Sequence, residues 1–339
     1  MKNVEARRSQ TLTVLAPAKL NLVLRILGKR ADSYHDLFTL FQSIDLCDRL
    51  HFNFTDSDRD EVNIKLEDSS TGGDFPLDDT NIIKKAALLY MRELTERVPV
   101  RLTVRVEKNI PIGAGLAGGS ANAAATLSAI NHHYKNKLSS DQLLQLAGEI
   151  GSDVPFSLLG GTSLGRGRGE ILSSLPAHTG LHFVLVKPRT LAVSTAWAYD
   201  SFDRTQSGEQ LDEAILKDQA QKLNALLGEK NISAAANFFS NSFEPVVFER
   251  YPVLRSIKER LIDLGCLCAY MTGSGPTIYG LVRDFSQAKA IQSTIISDQE
   301  AKTSAFWYKN YGFPVDTWLT KSIDHGIKVI GDEENHHKN

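Results

Sequence analysis

The stretch that most limits what this chain can be is Pro111-Ile112-Gly113-Ala114-Gly115-Leu116-Ala117-Gly118-Gly119-Ser120-Ala121-Asn122-Ala123-Ala124-Ala125, in which four glycines open into an alanine-rich run. Glycine takes φ > 0 at little cost and carries no side chain, so main-chain N–H groups can turn toward a ligand and approach it closely. Ser120 and the alanines make a good helix start, whose first N–H groups lack internal partners and sit at the positive end of the helix dipole. The stretch reads as an anion-binding loop feeding a helix, with phosphate as the guest. The alternative is a glycine-rich surface turn without a ligand, and four glycines ahead of a strong helix former weigh against it.

Its surroundings narrow the kind of loop. Gly113-x-Gly115-x-x-Gly118 matches the dinucleotide fingerprint, which wants an acidic residue about 20 positions on, at the end of the next strand. The candidate, Asp141 in Leu138-Ser139-Ser140-Asp141-Gln142, instead stands at the start of another helix. A Walker loop fails too, because no Gly-Lys-Ser/Thr follows the glycines. What remains is a loop that holds phosphates by backbone, with catalytic charge supplied from elsewhere.

Composition removes other classes. With 339 residues, 42% of them hydrophobic, the chain is long enough for two well-cored domains. A balance of 38 basic against 40 acidic residues marks neither a nucleic-acid nor an anionic-membrane binder. No stretch approaches the ~20 apolar residues of a membrane span. Met1 to Gln10 is charged and lacks a signal core. Cys47, Cys266 and Cys268 have no zinc spacing and read as indifferent thiols, which predicts a reducing, cytoplasmic setting.

Alternation predicts strands at Thr11–Ala16, Leu20–Leu27, Val62–Leu66, Val100–Val106 and Leu181–Lys187, with Leu37–Leu50 strand-like. Asp79-Thr80-Asn81 caps a helix through Glu93, the loop helix ends near Tyr134, and Ser139 or Ser140 starts another. Gly165–Gly169 reads as a hinge or boundary. Asn231–Phe243, Val253–Leu264 and Asp284–Ile296 read as helices, Ala301–Asn339 has no assignable place, and Asp332–Asn339 reads as disordered. Strands first, then the loop helix, then a mixed region give an α+β chain with its sheets covered on one face.

Three polar side chains and a second turn are candidates to act near such a loop. Lys19 and Asn21 lie on one face of a pleat, where a lysine is ordinarily solvated. Asp153, in Gly151-Ser152-Asp153-Val154-Pro155-Phe156, sits where a carboxylate is either a turn cap or a functional group. Met271-Thr272-Gly273-Ser274-Gly275-Pro276 is a second glycine turn, and paired with the first it suggests phosphates gripped from two sides.

Pro17-Ala18-Lys19-Leu20-Asn21-Leu22, Pro111–Ala125 and Thr272-Gly273-Ser274-Gly275, in this order, resemble the three motifs of the GHMP kinases. Within that superfamily, Arg30-Ala31-Asp32-Ser33-Tyr34-His35 and Gly151–Phe156 make the chain similar to the branch that phosphorylates 4-diphosphocytidyl-2-C-methyl-D-erythritol on the non-mevalonate route to isoprenoids. The likeness runs from about residue 11 to about residue 285. It implies a two-domain α+β fold with the site in an inter-domain cleft, residues 1–165 binding ATP and 166–339 the substrate, the tail from about 300 unplaced. It implies transfer of the ATP γ-phosphoryl group to the 2-hydroxyl, with Asp153 as general base and Lys19 beside it. The chemistry fits, since a carboxylate in hydrogen-bond reach can take the proton of a tertiary hydroxyl, and a lysine offsets charge on the moving phosphoryl oxygens.

By the same resemblance Asn81, Ile82, Lys108, Pro111, Gly113, Gly115, Gly118, Gly119, Ser120, Thr272, Gly273, Ser274 and Gly275 bind ATP. Mg²⁺ accompanies it, with Ser120 as a side-chain contact. Asn21, Tyr34 and His35 line the substrate side, His35 reading the cytosine edge. Tyr199 stacks on cytosine opposite Tyr34, with Trp197 as runner-up. The partner is thus a small molecule, with no nucleic acid and no membrane, and the chain is a monomer or weak homodimer. The chain departs from the family where Ala114, Ala117 and Ala121 replace glycine or serine and where Ser33 replaces glycine before Tyr-His. Two other classes compete: a non-catalytic nucleotide sensor of the same fold, which has no need of Lys19 and Asp153, and a nicotinamide oxidoreductase, which lacks its strand-end acid.

Overall fold

The computed structural model describes residues 8–69, 74–94, 96–205, 213–300 and 314–336. Its spine is an antiparallel pair of 22-residue strands, Arg8–Lys29 and His35–Asp56. The two runs expected on either side of Pro17 are one continuous strand. Register shifts between Pro17 and Lys19 and between Asn21 and Val23 absorb the proline and leave Lys19 and Asn21 between two bulges, a device that re-aims side chains.

The outer half of this pair builds one sheet. Val100–Lys108 pairs with His35–Asp56, Glu61–Ser69 pairs parallel with Val100–Lys108, and Lys328–His336 pairs with Arg8–Leu15. Val100, Leu102, Val104 and Val106 are buried while Arg101 and Arg105 are exposed, as the alternation predicts. On the buried face pack helices Ile82–Glu93, Gly118–His133, Ser140–Ile150 and Val154–Leu159. Asn81 caps the first, and Ser139 forms a reciprocal capping box with Gln142 at the third. The loop helix buries Ala121 and Ala123–Ala125 completely, and side chains this small let neighbouring elements approach it on several sides.

The inner half of the pair turns toward a second, four-stranded sheet ordered Val315–Lys321, His182–Pro188, Ile278–Val282, Cys268–Met271. Helices Thr195–Thr205, Glu244–Arg250, Pro252–Asp263 and Phe285–Glu300 cover it. Leu20, Leu22, Phe183 and Tyr279, with Leu216 and Leu223 of helix Glu213–Gly228, form an apolar seam joining the two sheets.

Several expectations need correction. Gly165–Gly169 is no hinge: Gly165 lies in strand Thr162–Arg166, which pairs with His35–Asp56, and residues 167–170 turn its hairpin to Ile171–Leu175, so sheet pairing crosses position 165/166. The helix read over Asn231–Phe243 shrinks to Ile232–Ala235 and a short 3₁₀ turn, because Ser240–Asn241 is drawn into parallel pairing with Val23–Leu24. The tail supplies a strand to each sheet, and Asp332–His336, read as disordered, belongs to one of them. Residues 301–313 and 337–339 lie outside the described residues.

Candidate active site

Between the glycine loop, the inner halves of the long strands and helix Thr195–Thr205 lies a cleft of ≈ 980 Å³. Lys19 and Asp153 meet inside it. The strand bulges aim Lys19 inward, where its side chain is 6% exposed and its Nζ stands 3.5 Å from Asp153 Oδ2. Asp153 precedes the first turn of Val154–Leu159 but makes no capping bond, so its carboxylate points to the cleft rather than back to the helix.

Lys19 is held from both sides. Its Nζ donates to Asn21 Oδ1 at 2.5 Å and lies 5.2 Å from the centre of the Phe41 ring. Asn21 Nδ2 in turn donates to Thr39 Oγ1, and Thr39 donates to the Val23 carbonyl. Each member of this buried chain has a partner, which fixes the ammonium in place.

The glycine loop is tied to the same strand. Lys19 N donates to the Leu116 carbonyl at 3.1 Å, and Thr272 Oγ1, which accepts from Asn21 N, donates to the Gly115 carbonyl. Gly115 has φ 76°, and a Cβ there would run into the Thr272 carbonyl oxygen, so only glycine lets the two glycine turns touch. Lys108 closes the loop's base: its Nζ donates to Asp48 Oδ2 at 2.7 Å and to the Ile110 carbonyl. Burial pushes the Asp48 carboxyl up and the Lys108 ammonium down, each opposed by the other's charge. Asp48 also accepts the Asn109 and Ile110 N–H groups.

At the other end, Tyr199 stacks on His35 with ring centres 4.5 Å apart, and Phe243 meets Tyr199 edge-on at 4.8 Å. Burial raises the Tyr199 phenol above the usual range, with Asp153 adding to the effect. Asp203 bridges His35 Nε2 at 2.6 Å and Lys29 Nζ at 2.8 Å. Burial alone would raise the Asp203 carboxyl, but the hydrogen bonds from Lys29 and His35 outweigh it and hold it below the ordinary value. Tyr34 is exposed at the mouth, with the Arg168 guanidinium 4.8 Å from its ring centre.

The cleft brings together Lys19, Asn21, Tyr34, His35, Asn81, Ile82, Lys108, Pro111, Gly113, Gly115, Gly118, Gly119, Ser120, Asp153, Tyr199, Gly273 and Ser274. Thr272 and Gly275 do not line it. Thr272 is fully buried, and its carbonyl accepts from Gly275 N, so these two shape the turn that presents Gly273 and Ser274. Asn81 spends its side chain on Ile83 N and the Pro76 carbonyl. Trp197 stands apart from the cleft, edge-on to Tyr251. Sequence reasoning missed Thr39, Phe41, Arg168 and Asp203, which also line it. Their places follow from strand pairing and helix docking, which leave no local signature. The three cysteines are unpaired, and burial pushes their thiols up to about 12, as indifferent thiols require.

Comparison with known proteins gives the chain's family. The GHMP kinases N terminal domain profile matches residues 81–161, and the GHMP kinases C terminal profile matches 216–300. The 4-diphosphocytidyl-2-C-methyl-D-erythritol kinase of Pelotomaculum thermopropionicum is 40% identical over 285 residues, 83% of this chain and 92% of the relative. That of Gloeobacter violaceus is 36% identical over 290 residues, covering 85% and 91%. A crystal structure of 4-(cytidine 5'-diphospho)-2C-methyl-D-erythritol kinase superposes with a TM-score of 0.66 at 28% identity, over 91% of this chain and 98% of that one. Homoserine kinase from Cytophaga hutchinsonii shares the fold, with a TM-score of 0.69 at 21% identity over 97% and 99%.

Proposed function

The chain belongs to the GHMP kinases, in the family of the 4-diphosphocytidyl-2-C-methyl-D-erythritol kinases, and we propose that it transfers the γ-phosphoryl group of ATP to the 2-hydroxyl of 4-diphosphocytidyl-2-C-methyl-D-erythritol. The observation that carries the reading is the Lys19–Asp153 pair, 3.5 Å apart in a cleft with a phosphate-type loop on one side and an aromatic stack on the other. Asp153 takes the proton of the 2-hydroxyl as its oxygen attacks phosphorus. Lys19, already oriented by Asn21, offsets the charge that builds on the transferred oxygens. The triphosphate lies along the N–H groups at Gly118–Ser120, where the loop helix begins. The cytidine end enters beside Tyr199, His35 and Tyr34, and ring stacking there is worth about 1–3 kcal/mol per base.

Mg²⁺ fits the chain on one condition. Among the described residues the one group of three metal-ligating side chains within reach of each other is His51, Glu67 and Glu107, none of which lines the cleft. The ion would be held by phosphate oxygens and water, with the Ser120 hydroxyl as its side-chain contact, and would supply charge neutralisation. Purified protein given ATP, Mg²⁺ and the cytidylated substrate should release ADP. No ADP with this substrate, but turnover of homoserine or mevalonate, would overturn the reading.

A further inference from the structure

Behind the second glycine turn, two buried side chains three residues apart grip its backbone, Asn241 at the end of the short Ser240–Asn241 strand and Glu244 at the start of helix Glu244–Arg250. Asn241, 6% exposed, donates through Nδ2 to the Met271 carbonyl at 2.6 Å and to the Gly273 carbonyl at 2.8 Å. Glu244, 8% exposed, accepts from Met271 N through Oε1 at 2.8 Å, and its Oε2 accepts from Lys258 Nζ at 2.5 Å. Both main-chain groups of Met271 and the carbonyl of Gly273 are thereby pinned by one Asn-x-x-Glu segment. Pairing of Ser240–Asn241 with Val23–Leu24 anchors that segment to the strand that carries Lys19.

The same asparagine holds the backbone of a residue that reaches the cleft. Its Oδ1 accepts from Phe243 N at 2.8 Å, and the Phe243 ring backs Tyr199. We propose that Asn241 and Glu244 are positioning residues that set the Met271–Ser274 turn for the nucleotide, and that Asn241 couples this turn to the aromatic stack on the substrate side. The proposal rests on the ATP-dependent reading above. An asparagine suits the post because its carboxamide offers two donors to two carbonyls and an acceptor to an N–H in one rigid plane.

Steady-state kinetics of Asn241→Asp tests it. A carboxylate keeps the acceptor for Phe243 N but replaces both donors with an oxygen facing two carbonyls. The KM for ATP should rise about 10-fold or more, in line with orphaned buried carbonyls, while the KM for the cytidylated substrate stays within about threefold. Glu244→Gln, which retains an acceptor for Met271 N, should raise the ATP KM less than Glu244→Leu. An unchanged ATP KM, or an equal rise in both KM values with a lowered melting temperature, overturns the proposal in favour of a purely structural role. Amide exchange on the wild-type enzyme gives a readout that needs no variant. A non-hydrolysable ATP analogue should slow exchange in 240–244 together with 271–275, and slowing confined to 271–275 overturns the coupling. Wild-type protein that turns over no ATP would instead sink the kinase reading itself.

Discussion

Ser33 and Ala117, two residues with side chains in left-handed backbone, have φ 68° and 57°. The left-handed region costs a residue with a Cβ about 1–2 kcal/mol, so both turns keep a geometry that glycine would adopt more cheaply. Ala117 is the N-cap of the loop helix and makes no side-chain cap, so its strained backbone alone turns the loop into the helix. Ala117→Gly should stabilise the protein by about 0.5–1 kcal/mol after glycine's extra unfolded-state entropy is subtracted, read as a rise in urea midpoint. A fall would mean that the Ala117 methyl packs usefully in the folded state. At the reacting centre, Asp153→Asn should lower kcat by about 10²–10⁴-fold, and Lys19→Met should also remove most turnover. ATP binding measured by calorimetry should survive in both. Near-normal kcat in either variant would take the assigned role from that residue.

At the level of elements, legibility depended on whether a pattern was local. The loop helix, the Asn81 and Ser139 caps and the Val100–Lys108 strand were readable, because glycine freedom, capping chemistry and period-two alternation act within a few residues. The continuity of Arg8–Lys29 through Pro17 was not, nor was the short Ser240–Asn241 strand, because a partner strand decides both. Asp203 shows the same limit: an ordinary helix aspartate in sequence, it clasps the Lys29–His35 segment to helix Thr195–Thr205. Its carboxyl is held below the ordinary value, so the charged form is favoured by folding. The resulting stability is present above about pH 3.9, the unfolded value, and is lost as pH falls through the lower folded value. Wild type should therefore melt above Asp203→Asn at neutral pH, with the gap closing only as pH drops below about 4. A gap that persists unchanged to pH 2 would show that the clasp is not electrostatic.

Across the whole molecule, the tail that sequence left unplaced links the two sheets and supports the helix that follows Asp153. Val315–Lys321 completes one edge of the second sheet, and Lys328–His336 completes an edge of the first. The segment between them docks under helix Val154–Leu159: Ile327 N donates to the Ser157 carbonyl, and Gly160 and Gly326 lie so close that a Cβ on Gly160 would strike the Gly326 backbone. Ile323 is held by Ser43 and Gln42 of the long strand that faces the cleft. Two truncations separate these duties. Ending the chain after Ile327 removes only the edge strand and bares Arg8–Leu15, which should lower the melting temperature and promote concentration-dependent association, with kcat within about threefold of wild type because the Asp153 helix keeps its support. Ending it after Lys321 also removes that support. A shift of about 1 Å in a positioned group can cost about 10²-fold in rate, so kcat should fall by at least about tenfold beyond the first truncation, measured well below both melting temperatures. Equal kcat in the two truncations would place the hold on Asp153 within the helix and strands that flank it and leave the tail a purely structural part.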